Sequence, residues 1–229
     1  MSKMKLSIVI PIFNEERLLS EVLEQVRKIP LDKELILVDD YSSDGTGAIL
    51  EKENNKPDTV VLYHHKNQGK GACIRTGLAR VSGDIVIIQD ADMEYNSAEI
   101  PSVIEPIMKG ETLVSYGSRF KGVVKQMRWP NRVANYILAT LVSILYGQRI
   151  TDEATAYKAF RTEVIKSIPL TCQRFEFRPE VTAKVLKRGY RIAEVPVTFT
   201  ARTFEQGKKI GWKDFIQAVY ILLKYRVID

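Results

Sequence analysis

Cysteine and histidine are nearly absent, with two of each in 229 residues. Cys73 and Cys172 stand far apart with no second ligand pair beside them. That excludes a disulfide framework and a thiolate zinc centre, and fits a reducing compartment. His64 and His65 follow an apolar run and lack a ligand-spaced partner, so they read as structural or exposed side chains. Repeats and low-complexity tracts are missing too, which removes solenoids and disordered arrays. No apolar run is long enough for a membrane-spanning helix. The most apolar stretch, residues 136–146, is about half the ~20 residues required. A targeting segment is also lacking, since residues 6–13 form a short run interrupted by Pro11. A cytoplasmic protein is therefore expected.

What is present suits a soluble globular chain with a real core: 45% hydrophobic and 27% charged residues. Lys plus Arg number 34 against 28 Asp plus Glu, a net charge of +6, with a pI near 9.2. This mild excess fits phosphate-bearing partners or an anionic membrane surface. Nucleic-acid binding would need basic residues interleaved with exposed aromatics along one face, and the sequence has no such stripe.

Strand-like runs alternate with helical periodicity through the first half. Residues 6–10 read as a strand closed by Pro11, followed by a helix from Asn14 or Glu15 to about Lys28, with Leu18, Leu19, Val22, Leu23 and Val26 on one face. Residues 34–38 form a second strand ending on Asp39 and Asp40, and 46–53 a short helix. Residues 59–63 are a third strand, and the loop 67–71 opens a helix to Val81. Residues 84–88 are a fourth strand that delivers Asp90 and Asp92. Farther on, helices are expected at 100–108, 131–146, 178–187 and 211–225, and strands at 112–116, 156–160 and 191–195. Uninterrupted apolar strands followed by helices define an α/β fold, with a mostly parallel central sheet covered on both faces. In such sheets ligands sit outside the carboxyl ends of the strands. Asn14-Glu15, Asp39-Asp40, residues 67–70 and residues 90–94 should therefore converge on one crevice. No composition break divides the chain, so one domain over 1–229 is expected.

Asp90-Ala91-Asp92 is the sharpest motif. Two carboxylates at a strand end can face one pocket and hold Mg²⁺ or Mn²⁺, which would bridge the phosphates of a nucleotide and stabilise a leaving diphosphate. A solvated turn is the competing reading. The motif follows, in order, Pro11-Ile12-Phe13-Asn14-Glu15, Val38-Asp39-Asp40, Ser43-Asp44-Gly45-Thr46 and Asn67-Gln68-Gly69-Lys70-Gly71. Downstream come Tyr116-Gly117-Ser118-Arg119-Phe120, Arg132 with Asn135, and a run from Glu194-Val195-Pro196-Val197 to Arg202. With these elements the chain resembles the family 2 glycosyltransferases of the nucleotide-diphospho-sugar transferase (GT-A, Rossmann-like) fold. Within that family it is most similar to the polyprenyl-phosphate sugar synthases, such as dolichol-phosphate mannose synthases. The resemblance covers roughly residues 6–225.

The resemblance implies a nucleotide-sugar-binding half over about 1–117 and an acceptor-binding half over about 118–229. Asp39 or Asp40 can accept from a base N–H and from ribose hydroxyls, and the family pattern assigns the base to Asp40. Pro11, Phe13 and Glu15 would form the facing wall, with Glu15 on the ribose. Without the resemblance, Glu15 reads equally well as an acid at a helix N-terminus. Gly69 and Gly71 permit close backbone approach at a helix start, and Lys70 adds a cation. Asp44-Gly45 reads as turn chemistry. Ala91 sits between the two aspartates against the donor, and Glu94, where the family often has Gln, would complete the metal shell of Asp90 and Asp92. Arg119, Arg202 and Lys208 are the expected phosphate cations. Arg119 and Arg132, with Asn135, would hold the acceptor phosphate. Arg202 and Lys208, on a mobile loop over 202–209, would close over the donor. Asp92, Arg119 and Arg202 are thus the expected catalytic set.

Three features depart from the family pattern. Ala156 replaces a usual Gly, Asn96-Ser97 stand where Asp-Pro or Pro-Pro is common, and the chain stops at Asp229 without the transmembrane helices many relatives carry. The implied reaction is an inverting, metal-assisted transfer of mannose, or secondly glucose, from GDP-mannose or UDP-glucose to a polyprenyl or dolichyl phosphate. A phosphate nucleophile is already ionised and needs no base. A sugar or protein hydroxyl would need one, with Asp152 or Glu153 as candidates. A non-catalytic partner subunit or basic binding module is the rival class, against which the intact Asp90, Asp92 and Arg119 argue. Residues 131–146 carry more apolar surface than one core-facing stripe requires, and follow Lys121, Lys125, Arg128, Trp129 and Arg132. Residues 211–225 add Trp212, Phe215, Ile216, Tyr220, Leu222 and Leu223. Trp129 and Trp212 would be interfacial anchors or core side chains. A peripheral protein on an anionic cytoplasmic membrane face is expected; a membrane-anchoring subunit or a homodimer are the other uses of these helices.

Overall fold

The computed structural model describes residues 4–202 and 211–228. The first half alternates β1 (Leu6–Ile12), α1 (Leu19–Arg27), β2 (Lys33–Asp39), α2 (Thr46–Glu53), β3 (Thr59–Tyr63), α3 (Lys70–Leu78) and β4 (Ile85–Ile88). A 3₁₀ turn (Ser97–Glu99) leads into α4 (Ile100–Met108) and β5 (Val114–Lys125). Then follow α5 (Trp129–Tyr146), β6 (Lys158–Arg161), α6 (Thr162–Ser167), α7 (Phe177–Lys187), β7 (Ile192–Thr200) and α8 (Trp212–Val227). One seven-stranded sheet takes strands from both halves in the order β3-β2-β1-β4-β6-β5-β7. All pairings are parallel except those of β6, which runs antiparallel to both β4 and β5.

Pro11 does not close β1. Val9 C=O accepts from Gln89 N–H, and Ile12 C=O accepts from Asp40 N–H, so odd residues of β1 face β4 and even ones face β2. Pro11 turns its missing donor toward β4 just beyond the last β1–β4 pair, Val9 with Ile88, and no ladder bond is lost. The helix expected from Asn14 or Glu15 starts later, at Leu19. Asn14 sits in the left-handed region at φ 53°, and the N–H groups of Asn14, Glu15 and Glu16 donate to Ser42, Thr46 and Asp44. The left-handed Asn14 interrupts the helical backbone, the next loop caps these donors, and Glu15 C=O accepts from Leu18 and Leu19 N–H to form the turn that leads into α1.

Both faces of the sheet are dry. On one, Leu6, Ile8, Ile10, Leu35, Leu37, Ile85 and Ile87 meet α1, α4 and the α2 residue Leu50. On the other, Val9, Ile36, Val38, Val86 and Ile88 meet α3, α5, α6, α7 and α8. Burying alternate residues on opposite faces is what makes each strand read as a continuous apolar run.

Candidate active site

The carboxyl ends of β1, β2 and β4 open onto one cavity of about 750 Å³. Its lining includes Pro11, Phe13, Glu15, Asp40, Asn67, Gly69, Lys70, Asp90, Ala91, Asp92 and Glu94, so the polar groups of the first half do converge. Because β6 is antiparallel, the segment before it reaches the same rim, and Glu153, Ala154 and Ala156 join the lining. Asn14, Tyr41 and Met93 follow β1, β2 and β4 respectively, and all three adopt positive φ (53°, 67° and 59°). Left-handed non-glycine residues are strained, and such strain gathers where a site fixes its loops.

Asp40 is occupied by the protein itself. One carboxylate oxygen takes His64 Nδ1 at 2.8 Å and Gln68 N–H at 2.8 Å; the other accepts from Gly69 N–H at 2.7 Å. His64 Nε2 meets Thr76 Oγ1 at 3.0 Å, which makes His64 a buried structural strut between β2 and α3. Asp39 is buried and absent from the lining. One of its oxygens accepts from Ser42 N–H, and Oδ1 has no hydrogen-bond partner among the described residues. Asp44 accepts from Thr46 and Glu16 N–H, which is turn chemistry as expected.

The glycines at the start of α3 serve packing against the protein. Gly71 and Ala72 N–H donate to Arg174 and Gln173 C=O. A Cβ at Gly69 (φ 92°) would lie 2.6 Å from Gln173 O, and one at Gly71 would lie 2.9 Å from Arg174 O. The loop before α7 therefore caps this helix, and its amides are not free to cradle an anion. Lys70 turns instead to Asp90, Nζ to Oδ1 at 2.5 Å.

Asp92 faces Arg202 at 3.0 Å, Arg202 also reaches Glu15 at 3.2 Å, and Glu94 accepts the Arg202 N–H at 2.8 Å. Burial, then the neighbouring Asp90 and Glu94 charges, push the Asp92 carboxyl up to about 7 against the pull of Arg202 and Lys70. Three neighbouring carboxylates that share only Lys70 and Arg202 as cations are what a hard divalent cation relieves, and their oxygen donors suit Mg²⁺ or Mn²⁺ by chemistry. Asp90, Asp92 and Glu94 do not bring one oxygen each within 4.8 Å of one another; among the described residues the grouping that does is Asp40, His64 and Cys73. It suits those ions poorly, because burial pushes the Cys73 thiol far up and keeps it protonated.

On the other side of the cavity Arg119 is 5% exposed and clamped by Asp152. Its Nε and one Nη donate to the two carboxylate oxygens at 2.7 and 2.6 Å, and its backbone N–H adds a third bond at 2.9 Å. The same Nη reaches Asn135 Oδ1 at 3.2 Å, and Phe199 lies under the guanidinium at 4.9 Å. Arg132 is not brought to the cavity: it is exposed and donates to Val124 C=O. Arg128, one turn earlier, lines the cavity instead, with Arg174 and Arg178. Lys208 lies outside the described residues. Sequence reasoning missed Arg174 and Arg178, which stand more than a hundred residues beyond Gly69-Lys70-Gly71 and outside every quoted motif. Trp129 and Trp212 are 74% and 70% exposed, so neither is a core side chain.

A mostly parallel sheet with acidic loops at its carboxyl ends, and a cavity holding an Asp-Ala-Asp motif and several arginines, is the architecture of the GT-A fold. Residues 7–168 match glycosyl transferase family 2, and the chain belongs to that family; it is a glycosyltransferase. It is 31% identical to the undecaprenyl-phosphate 4-deoxy-4-formamido-L-arabinose transferase of Edwardsiella ictaluri, over 95% of this chain and 66% of that one. It is 28% identical to the undecaprenyl-phosphate mannosyltransferase of Micrococcus luteus, over 91% of this chain and 88% of that one. Glucosyl-3-phosphoglycerate synthase from Mycobacterium tuberculosis, solved with Mn²⁺, UDP-glucose and phosphoglyceric acid, superposes with a TM-score of 0.75 at 20% identity, covering 99% of this chain and 81% of that one. That last likeness concerns the fold.

Proposed function

We propose that the protein moves a hexose, mannose first and glucose second, from a nucleotide-diphosphate sugar (GDP-mannose or UDP-glucose) to a polyprenyl or dolichyl phosphate with inversion. The observation that carries this reading is the make-up of the cavity: the carboxylates Asp90, Asp92 and Glu94 share its lining with Arg119, Arg128, Arg174 and Arg178 and with the apolar Leu138, Phe175 and Phe215. Relatives named for undecaprenyl-phosphate acceptors support the acceptor class.

Pro11, Phe13 and Glu15 face the nucleotide, and Asp40 shapes the opposite wall by holding the 67–69 loop. Asp90, Asp92 and Glu94 would hold Mg²⁺ or Mn²⁺, which when bound supplies positive charge to the donor diphosphate. Arg202, bridging Glu15 and Asp92, supports the diphosphate side as the bond from the anomeric carbon to the diphosphate oxygen breaks. Arg119, held by Asp152 and Asn135, orients the acceptor phosphate so that one of its oxygens forms the new bond on the opposite face of the sugar. The nucleoside diphosphate leaves with the electron pair, and no proton need be removed from the nucleophile.

The acceptor's lipid would arrive along α5 and α8, which pack together through Tyr146 Oη and Leu222 C=O at 2.7 Å. They expose Trp129, Tyr136, Ile137 and Ile144 on one helix, and Trp212, Ile216, Tyr220 and Leu223 on the other. Exposed Lys121, Lys125, Arg128 and Lys213 flank this surface. Among the described residues no helix is long and apolar enough to cross a membrane, so peripheral attachment to the anionic cytoplasmic face is the proposed location. Incubating enzyme, labelled donor, polyprenyl phosphate and Mn²⁺ tests the reading. Label should enter the organic phase, and transfer only to sugar or protein hydroxyls would refute the acceptor class.

A further inference from the structure

Glu194 on β7 is absent from the cavity lining, yet its carboxylate is tied to the loop that carries the clamp on Arg119. Its side chain is 4% exposed. Thr151 N–H donates to its two oxygens at 2.8 and 3.0 Å, the Thr151 hydroxyl reaches both at 3.0 Å, and Asp152 N–H donates to Oε1 at 3.0 Å. Lys121 Nζ, on a half-exposed side chain, lies 3.5 Å away. A carboxylate only accepts, so the Thr151 hydroxyl gives its one proton to Glu194. Ser118 Oγ, 2.6 Å from Thr151 Oγ1, then donates to it. Two arms from one buried carboxylate thus meet on adjacent residues of β5. One runs through Thr151 to Ser118, the other through Asp152 to Arg119. Burying a charge is costly unless it is hydrogen-bonded, and here the bonds go to successive residues of one loop.

We propose that Glu194 is a positioning residue for the acceptor: by fixing Thr151 and Asp152 it sets the pose of the Arg119 guanidinium that receives the acceptor phosphate. Asp152 takes Nε and Nη2 of Arg119, and Asn135 takes Nη2 again, which leaves Nη1 without a partner among the described residues. The direction of that spare donor edge follows the Asp152 carboxylate, because a guanidinium is a rigid planar fork. The Asp152 backbone in turn follows Glu194. A shift of about 1 Å in such a chain can cost on the order of a hundredfold in rate, although its source lies away from the chemistry. Glu194 itself touches no substrate and moves no proton. This inference rests on the phosphate-acceptor reading above.

Two-substrate steady-state kinetics of Glu194→Gln with polyprenyl phosphate and labelled donor test it, beside Thr151→Val and Arg119→Lys, with melting temperatures for each. In Glu194→Gln one oxygen becomes an NH₂ that meets N–H donors, so acceptor KM should rise about tenfold while donor KM stays within about twofold of wild type. Thr151→Val removes only the hydroxyl arm and should raise acceptor KM about threefold. Arg119→Lys keeps the charge but not the fork, so adding Glu194→Gln to it should raise acceptor KM by no more than about twofold further. A side chain that merely holds the fold would lower the melting temperature and leave both KM values alone. An unchanged acceptor KM in Glu194→Gln, an equal rise in donor KM, or full additivity in the Arg119→Lys background would overturn the proposal. If Glu194→Gln does not fold, Thr151→Val, alone and combined with Arg119→Lys, decides by the same criteria. A wild-type enzyme that labels only hydroxyl acceptors would instead defeat the phosphate-acceptor reading itself.

Discussion

Exchanging Asp152 for Asn tests the buried clamp on Arg119 at nearly constant volume. In the native protein Asp152 is fully buried, accepts three hydrogen bonds from Arg119, and forms the ion pair that lets a guanidinium sit at 5% exposure. The Asn side chain removes the negative charge and turns an NH₂ toward an Nη–H. Removing one partner of a buried pair leaves an uncompensated charge in low dielectric and costs about 3–5 kcal/mol, a large part of a typical ~5–15 kcal/mol total. For a chain of this size that lowers Tm by roughly 10 °C. Chemical denaturation followed by circular dichroism measures it, alongside Arg119→Met and the double variant Arg119→Met/Asp152→Asn. Removing both charges together should leave the double variant more stable than either single one, because neither charge is stranded. Asp152→Asn within about 1 kcal/mol of wild type, or strictly additive losses in the double variant, would refute the clamp.

Other outcomes follow from the same structure. Burial alone would raise Glu34, but hydrogen bonds from Ser7, Ser82 and Lys5 outweigh it and hold its carboxyl down at about 2; Glu180, bonded by Lys184, Cys172 and Thr171 against its own burial, also lies at about 2. Both values are depressed below the ordinary 4.5. Their stabilisation, on the order of 3 kcal/mol each, is therefore present above that pH and lost as pH falls toward about 2. Urea titrations across this window should show a shallower acid decline for Glu34→Gln. Gly69→Ala, forcing a side chain at φ 92° against Gln173 O, should lower stability by about 1–3 kcal/mol and weaken nucleotide binding, read by melting with and without donor. Trp129→Ser and Trp212→Ser, at exposed positions, should change stability by less than about 0.5 kcal/mol while reducing flotation with anionic vesicles at low salt. A core-sized stability loss would show that these side chains pack in a way their exposure contradicts.

Strands β1, β2, β3 and β4 and the order of their loops were legible because burial on both faces writes apolar runs directly into the chain. Helix α2 and strand β3 fall on the expected bounds. What was not legible was direction and long-range pairing. Apolar periodicity carries no sign of strand polarity, so nothing announced that β6 would run antiparallel and lift Asp152 and Glu153 to the rim beside Arg119. The 33-residue separation of Arg119 and Asp152 likewise hid their clamp. Gly69 and Gly71 drew notice as phosphate glycines, yet a backbone carbonyl from 173–174 makes the same demand for close approach as a phosphate would. Asp40 was legible as a site residue, but not its bond to His64 across 24 residues. Helical spacing would put Arg128 and Arg132 on one face, but Arg128 is the extended N-cap of α5 while Arg132 lies within the helix, and the sequence did not show where the helix begins.

Whether sugar passes to a lipid phosphate through the Asp90-Ala91-Asp92 cluster is measured most directly by organic-phase partition of label from GDP-mannose or UDP-glucose. Wild type would be compared with Asp92→Asn, each with Mn²⁺ or with EDTA, and each checked for an unchanged fold. The expected result is extractable, acid-labile label with wild type and Mn²⁺ alone, and background counts in the other three samples. Undiminished lipid-linked label from Asp92→Asn in EDTA, or label confined to the aqueous phase under every condition, would contradict the account.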